Sequence, residues 1–229
     1  MTTIAANLQA VRERIERAAQ AAGRRASDVE LIAVSKTFPV QDIAAAHDAG
    51  QRAFGESYVQ EAVEKVTQLS RLPITWHFIG PIQSNKTRAI AGHFQWVHGI
   101  ERVKIAQRLN DARPAHLPPL DVCIQVNVSG EGSKSGVIPG EELALARAIV
   151  ALPRLRLRGL MAIPEPTSDM QLQRRRFALL RGIKDQLAAD GIALDTLSMG
   201  MSDDLEAAIA EGATLVRVGT AIFGQRRKA

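Results

Sequence analysis

Lysine is scarce in this chain, and one lysine stands in an unusual place. Of the 29 lysine and arginine residues only seven are lysine. Lys36 follows Val29–Val34, a β-branched apolar run that predicts a buried strand. Burial lowers the pKa of an amine, and a neutral lysine amine can form a Schiff base. Lys36 is therefore either such a nucleophile or a lysine whose ammonium lies in solvent at the strand end, and this residue alone does not decide.

The end of the sequence offers groups that bind anions. Residues 198–204 lead into a predicted helix, so backbone N–H groups near Ser202 would point out of its first turn. Gly219 and Thr220 offer further backbone amides and a hydroxyl. Such loops, after the last two strands of a barrel, often bind phosphate. The alternative is that Ser202 only caps the helix.

Arg217 lies between Val216 and Val218 at the end of another predicted strand. An arginine that faces the interior of a protein needs a partner for its charge. The partner could be a phosphate group, a carboxylate such as Glu56, or a ring nitrogen. The sequence does not choose among these three.

The elements that position these residues alternate between strands and helices. The predicted strands are Val29–Val34, Arg52–Gly55, Thr75–Gly80, Trp96–Gly99, Asp121–Val126, Leu155–Met161, Thr196–Ser198 and Leu215–Val218. One helix is predicted before the first strand, at Thr3–Ala22, and one after each of the first seven strands. This order predicts a single (β/α)8 TIM barrel domain over residues 1–229 with an extra N-terminal helix. A doubly wound open sheet is the alternative, but residues 35–39 lack its glycine-rich fingerprint.

The composition excludes several classes of protein. With 46% hydrophobic and 23% charged residues, the chain is neither disordered nor fibrous. Cys123 is the single cysteine, so no intrachain disulfide can form and a reducing compartment is expected. The sequence shows no signal peptide and no apolar run as long as a membrane span. We therefore expect a cytoplasmic protein that does not bind membranes.

The net charge of +5 permits nucleic-acid binding, but its distribution does not favour it. Basic residues are scattered, and the densest runs, 174–176 and 226–228, carry no interleaved aromatic residues. The five histidines lack the spacing of metal ligands. We expect no nucleic-acid partner, no metal ion and a monomeric protein.

Several segments together resemble the pyridoxal phosphate homeostasis protein family. They follow in order through nearly the whole chain, at residues 31–40, 54–62, 76–86, 126–137, 159–164 and 197–224. The resemblance implies a barrel like the N-terminal domain of alanine racemase, with pyridoxal 5'-phosphate (PLP) held as a Schiff base. It implies a role in PLP homeostasis without conventional catalytic turnover. PLP-dependent apo-enzymes are the further partners that it suggests.

The resemblance also assigns residues to the cofactor. Lys36 would form the Schiff base, and Arg217 would face the pyridine nitrogen. The remaining assigned residues surround the phosphate or line the pocket; they are His77, Asn127, Met201, Ser202, Gly219 and Thr220. Ser57 and Pro81 depart from the residues usual in the family, and the role of Lys134 stays open.

An arginine beside the ring nitrogen has a chemical consequence. A guanidinium cannot accept a proton, so the pyridine nitrogen would stay neutral and PLP would be a weak electron sink. We therefore expect a PLP carrier rather than an enzyme. The alternatives are a PLP-dependent amino-acid racemase and a cofactor-free barrel that binds a phosphorylated metabolite. Racemases of this fold carry a further β-domain, which we do not expect in this chain.

Overall fold

Eight parallel strands close into a barrel in the order in which they occur along the chain. The computed structural model describes residues 3–130 and 135–225. The strands are β1 (Glu30–Val34), β2 (Ala53–Glu56), β3 (Thr75–Phe78), β4 (Trp96–Ile100), β5 (Leu120–Gln125), β6 (Leu155–Met161), β7 (Thr196–Ser198) and β8 (Leu215–Val218). The predicted TIM barrel is confirmed, and the open-sheet alternative is wrong because β1 pairs with β8.

Helices surround the barrel. They are α1 (Ile4–Ala21), α2 (Val40–Asp48), α3 (Val59–Gln68), α4 (Thr87–His93), α5 (Val103–Ala112), α6 (Glu142–Val150), α7 (Met170–Ala189), α8 (Leu205–Ala210) and α9 (Thr220–Phe223). The sequence did not predict α9, because four residues are too few to show helical periodicity. Within the described residues, no helix combines the length and the apolar character that a bilayer crossing needs. The cytoplasmic location and the monomeric state stay predictions.

The extra helix α1 packs against the last helices of the chain. Its first turn is capped by Thr3, whose hydroxyl accepts a hydrogen bond from the Ala6 amide at 3.2 Å. The Asn7 side chain donates to the carbonyl oxygen of Ile222 in α9 at 2.9 Å. Arg14 forms a salt bridge with Glu206 in α8, at 2.8 Å. These contacts hold α1 against α8 and α9, the helices that precede and follow β8.

Side chains along each strand alternate between two cores. A small apolar cluster of Ile32, Ala53 and Leu215 packs with Trp96 inside the barrel. Residues one position further along, such as Ala33 and Phe54, belong to the larger core between the barrel and its helices. Strand alternation thus decides which side chains reach the barrel interior.

The same alternation separates the polar residues at the carboxyl ends of the strands. Arg217 lies two residues after an inner position of β8, and Lys36 lies four residues after an inner position of β1. Ser35 and Glu56 each lie two residues after an outer position. Arg217 therefore belongs to the interior side of the barrel wall, whereas Ser35 and Glu56 belong to the helix side, and Lys36 stands in the turn beyond the end of β1.

Candidate functional site

Lys36 lies at the mouth of the barrel, at the carboxyl end of β1. The strand ends at Val34, so Lys36 stands in the turn that follows, and it is half-buried. The next residue, Thr37, has a φ of 70°, in the left-handed region that few residues other than glycine adopt. The turn therefore holds the backbone beside Lys36 in an unusual, specific conformation.

The turn after β8 lies beside the turn that carries Lys36. Strands β1 and β8 are paired, with Ala33 opposite Val218. A Cβ atom at Gly219 would lie 3.1 Å from the carbonyl oxygen of Val34. Glycine thus lets the end of β8 approach β1 closely. Thr220 follows as an exposed residue at the start of α9. The structure therefore brings Lys36, Gly219 and Thr220 together.

The turn between β7 and α8 carries the other predicted phosphate contacts. Asp204 is the N-cap of α8 and accepts a hydrogen bond from the Met201 amide at 2.6 Å. The alternative that Ser202 caps this helix is therefore wrong. Burial raises the pKa of Asp204. Ser202 and Met201 are half-buried, and the Ser202 carbonyl accepts a hydrogen bond from Arg14 at 3.1 Å.

Arg217 is buried inside the barrel, with 3% of its surface exposed. Its guanidinium donates to the Ser198 hydroxyl at 2.6 Å and to the Ala162 carbonyl at 2.8 Å. Glu56 was one predicted partner, and that alternative is wrong, because Glu56 lies on the other side of the barrel wall and pairs with Lys65. Burial lowers the pKa of Arg217 to about 10, so the side chain remains a cation at neutral pH.

A chain of hydrogen bonds joins Arg217 to two buried histidines. Ser198 Oγ lies 2.8 Å from His98 Nδ1, and His98 Nε2 lies 3.0 Å from His77 Nδ1. Burial lowers the pKa of His77 to about 3 and holds the pKa of His98 well below its usual range. Both imidazoles are therefore neutral at physiological pH.

The arginine fixes one end of this chain. Arginine only donates, so the Ser198 hydroxyl accepts from Arg217. One proton lies between His98 Nε2 and His77 Nδ1, and either ring can be its donor. Among the described residues, the buried Nε2 of His77 has no hydrogen-bond partner. The interior thus presents one cation and one imidazole nitrogen without a partner.

The remaining predicted contacts lie after β5. Asn127 is buried, and its backbone amide donates to the Val137 carbonyl at 2.9 Å. This bond ties the end of β5 to the chain that returns after the β5 loop. Lys134 lies outside the described residues.

The two departures from the family pattern meet at one place. Ser57 and Pro81 both line a cavity of about 350 Å³. Tyr58 and Lys86 also line it. A Cβ atom at Gly80 would lie 2.3 Å from the Ser57 carbonyl oxygen, so only glycine permits this approach of the two loops. The departures therefore change a surface cavity between the β2–α3 and β3–α4 loops.

Sequence reasoning assigned no role to two residues of the interior chain. His98 and Ser198 connect His77 to Arg217, although they lie 100 positions apart in the sequence. The sequence did contain a signal, because each is a polar residue in the carboxyl half of a strand. His98 lies two residues after the start of β4, and Ser198 lies two residues after the start of β7. Their pairing depends on the closure of the barrel, which no local pattern reveals.

Comparison with known proteins places the chain among relatives of similar length. A family described as alanine racemase, N-terminal domain, matches residues 6–227. A protein of Pseudomonas aeruginosa is 62% identical over 226 residues, covering 99% of this chain and 97% of the relative. A protein of Escherichia coli K12 is 54% identical over 233 residues, covering 99% and 98%. Both relatives are named pyridoxal phosphate homeostasis protein.

Solved structures agree with this assignment. PipY of Synechococcus elongatus, solved with PLP bound, is 36% identical and superposes with a TM-score of 0.83, covering 97% of this chain and 100% of PipY. Alanine racemase from Corynebacterium glutamicum, at 18% identity and a TM-score of 0.70, shares the fold over 95% of this chain and 62% of its own. The resemblance inferred from the sequence is confirmed: the chain belongs to the pyridoxal phosphate homeostasis protein family, with the fold of the alanine racemase N-terminal domain.

Proposed function

We propose that this chain binds PLP through the Lys36 amine and takes part in PLP homeostasis without a catalytic cycle of its own. One observation carries the proposal. The pairing of β1 with β8 brings the turn that carries Lys36 beside the Gly219–Thr220 turn. The names of the relatives and the PLP bound in PipY support it.

The residues present fit the chemistry of the cofactor. PLP supplies an aldehyde that reacts with primary amines, together with a basic ring nitrogen and a dianionic phosphate. Lys36 would provide the amine. Gly219, Thr220 and Ser202 would hold the phosphate with backbone N–H groups and two hydroxyls. The Met201 amide contributes less, since Asp204 already accepts its hydrogen bond.

Arg217 would face the ring nitrogen. Its two bonds to Ser198 and to the Ala162 carbonyl fix the guanidinium inside the barrel. Since a guanidinium donates and does not accept protons, Arg217 keeps a proton away from that nitrogen. An unprotonated ring nitrogen withdraws electrons weakly, which disfavours the carbanion chemistry of amino-acid enzymes. This site is therefore better suited to retaining and releasing the cofactor than to catalytic turnover.

His77, Asn127 and Met201 would line the pocket. The unpartnered Nε2 of His77 would bond to a polar atom of the ligand, because a buried polar atom without a partner destabilises the fold. His77 stacks on Trp96, with ring centroids 5.5 Å apart and planes 14° from parallel, which holds the imidazole in place. The histidine is thus a fixed and neutral group at neutral pH.

The proposal is tested by separating binding from turnover. The purified chain is incubated with PLP and dialysed, and a visible absorption band is measured. Alanine and serine are then followed by chiral analysis over hours, with Lys36→Ala as the control. We expect the band in the wild type only, and racemisation no faster than with free PLP. Multiple turnovers per protein molecule, absent in Lys36→Ala, would contradict the homeostasis role and favour the racemase alternative.

A further inference from the structure

A second polar cluster lies behind Lys36, on the helix side of the barrel wall. It consists of Ser35 after β1, Glu56 at the end of β2, Glu61 and Lys65 in α3, and the backbone of Thr37. None of these groups is among the residues assigned to the cofactor. The two residues that flank Lys36, Ser35 and Thr37, both belong to the cluster.

Lys65 ties the residue before Lys36 to two other elements. Its ammonium donates to the Ser35 carbonyl at 2.8 Å and to Glu56 Oε1 at 2.9 Å, and it also forms a salt bridge with Glu61. The Ser35 hydroxyl donates to the same Glu56 oxygen at 2.7 Å. Both the backbone and the side chain of Ser35 are therefore fixed.

Glu61 ties the residue after Lys36. Its Oε1 atom accepts a hydrogen bond from the Thr37 amide at 2.6 Å. Thr37 is the residue with a φ of 70°. A threonine in this region is strained, and such strain persists only where the surroundings impose it. The bond to Glu61 is the contact that holds the strained amide.

The centre of the cluster is buried, whereas Glu61 is 31% exposed at its side chain and Thr37 lies at the surface. Lys65 is 5% exposed and Glu56 is fully buried. Buried ion pairs add little net stability, because the loss of hydration offsets the attraction between the charges. Their better-documented contribution is to select one arrangement over its alternatives. Here the selected arrangement is the backbone on both sides of Lys36.

We propose that Glu61 and Lys65 are positioning residues for Lys36, because they fix the backbone of both its neighbours and so direct its amine into the barrel mouth. The inference rests on the proposed function, in which that amine holds PLP. Neither side chain touches the cofactor in this account. Their effect passes through Ser35 and Thr37.

Glu61 is the residue to change. Replacing Lys65 would leave Glu56 buried without a cation and would endanger folding. Glu61→Ala removes the acceptor of the Thr37 amide and leaves the pair of Lys65 with Glu56 intact. Glu61→Gln keeps an oxygen that can accept that bond. Glu64→Ala is the matched control, because Glu64 is an exposed glutamate of the same helix.

The four proteins are compared by two measurements. The first is the affinity for PLP, with the pH titration of the visible band. We expect Glu61→Ala to raise the Kd about tenfold and to shift the titration, and Glu64→Ala to change the Kd less than twofold. Glu61→Gln should recover most of the loss. Where the wild type binds PLP, equal Kd values of Glu61→Ala and Glu64→Ala would overturn the proposal.

The second measurement does not depend on PLP. Trace acetylation of the cofactor-free chain, followed by peptide mass analysis, gives the reactivity of Lys36 relative to the exposed Lys104. We expect Glu61→Ala to raise this ratio at least threefold as the turn opens. If the ratio rises while the wild type takes up no PLP, the proposed function fails and the positioning role stands. An unchanged ratio in Glu61→Ala contradicts the positioning role.

Discussion

The amino-terminal and carboxyl-terminal ends of the barrel treat their charged side chains differently. At the amino-terminal end, Asp121 binds both Arg156 and Arg158. Arg158 also binds Asp195 at 2.8 Å and lies 4.9 Å from the centre of the Trp96 ring. These four charged side chains are thus paired with one another.

At the carboxyl-terminal end, the charge inside the barrel has no counter-ion among the described residues. Arg217 forms no salt bridge there and is held by a hydroxyl and a carbonyl. The buried Nε2 of His77 has no hydrogen-bond partner. A buried cation without a counter-ion and a buried polar atom without a partner both lower the stability of the fold. This combination favours a ligand site at the carboxyl-terminal end of the barrel.

The largest effect is expected from the phosphate contacts at the carboxyl-terminal end. In Ser202→Ala combined with Thr220→Ala, each lost hydrogen bond to a charged group should weaken PLP binding by about 1.5–3 kcal/mol. The Kd for PLP should then rise at least about 100-fold. Equilibrium dialysis measures it, with pyridoxal as the matched ligand that lacks the phosphate. Equal losses for both ligands would show that these hydroxyls do not bind the phosphate.

A smaller effect, on folding only, is expected at the amino-terminal end. Asp121→Ala removes the carboxylate that Arg156 and Arg158 share. It should lower the free energy of unfolding by about 1–2 kcal/mol, because Arg156 is 60% exposed at its side chain and Arg158 keeps its bond to Asp195. Asp195 is 63% exposed at its side chain, so Asp195→Ala should change the free energy of unfolding by less than about 1 kcal/mol. Urea denaturation measures both. The affinity for PLP should stay unchanged in each variant. A loss of affinity in Asp121→Ala would show that the amino-terminal end also contributes to PLP binding.

The smallest effect concerns the pH dependence of stability. Folding lowers the pKa of His77 from 6.5 to about 3. Above pH 6.5 both states are neutral. As the pH falls below 6.5, His77 binds a proton in the unfolded chain but not in the folded chain. This residue therefore lowers the free energy of unfolding by about 1.4 kcal/mol per pH unit.

His77→Gln removes that contribution. Between pH 6 and about 4.5, the unfolding free energy of this variant should therefore decline less steeply than that of the wild type. The difference in slope should be about 1.4 kcal/mol per pH unit. The exposed His116 provides the control, since His116→Gln should leave the slope as it is. A wild-type slope in His77→Gln would mean that the imidazole is not buried as a neutral group.

Most of the fold could be predicted from the sequence, because hydrophobic periodicity is local. The bounds of β6, β7 and β8 agree with the prediction at both ends, and the other strands differ by one or two residues. The helix α9 is the main omission. Closure of the barrel followed from counting eight strand–helix units, and the pairing of β1 with β8 confirms it.

The candidate site was less predictable. Lys36 and Arg217 stood out because a charged residue beside apolar strand residues is unusual. The partner of Arg217 was not predictable, since Ser198 comes from a neighbouring strand and meets it only when the barrel closes. Glu56 was considered as that partner because both faces of a buried parallel strand are apolar, so the sequence does not show which face it occupies. The structure places it on the helix side, after the outer residue Phe54.

The central claim is that Lys36 holds the cofactor, and covalent mapping tests it most directly. The chain loaded with PLP is reduced with borohydride, digested and analysed by mass spectrometry. We expect the pyridoxyl group on Lys36, and no labelled counterpart in the Lys36→Ala variant. A pyridoxyl group found mainly on Lys86 or Lys134 would show that Lys36 does not hold the cofactor.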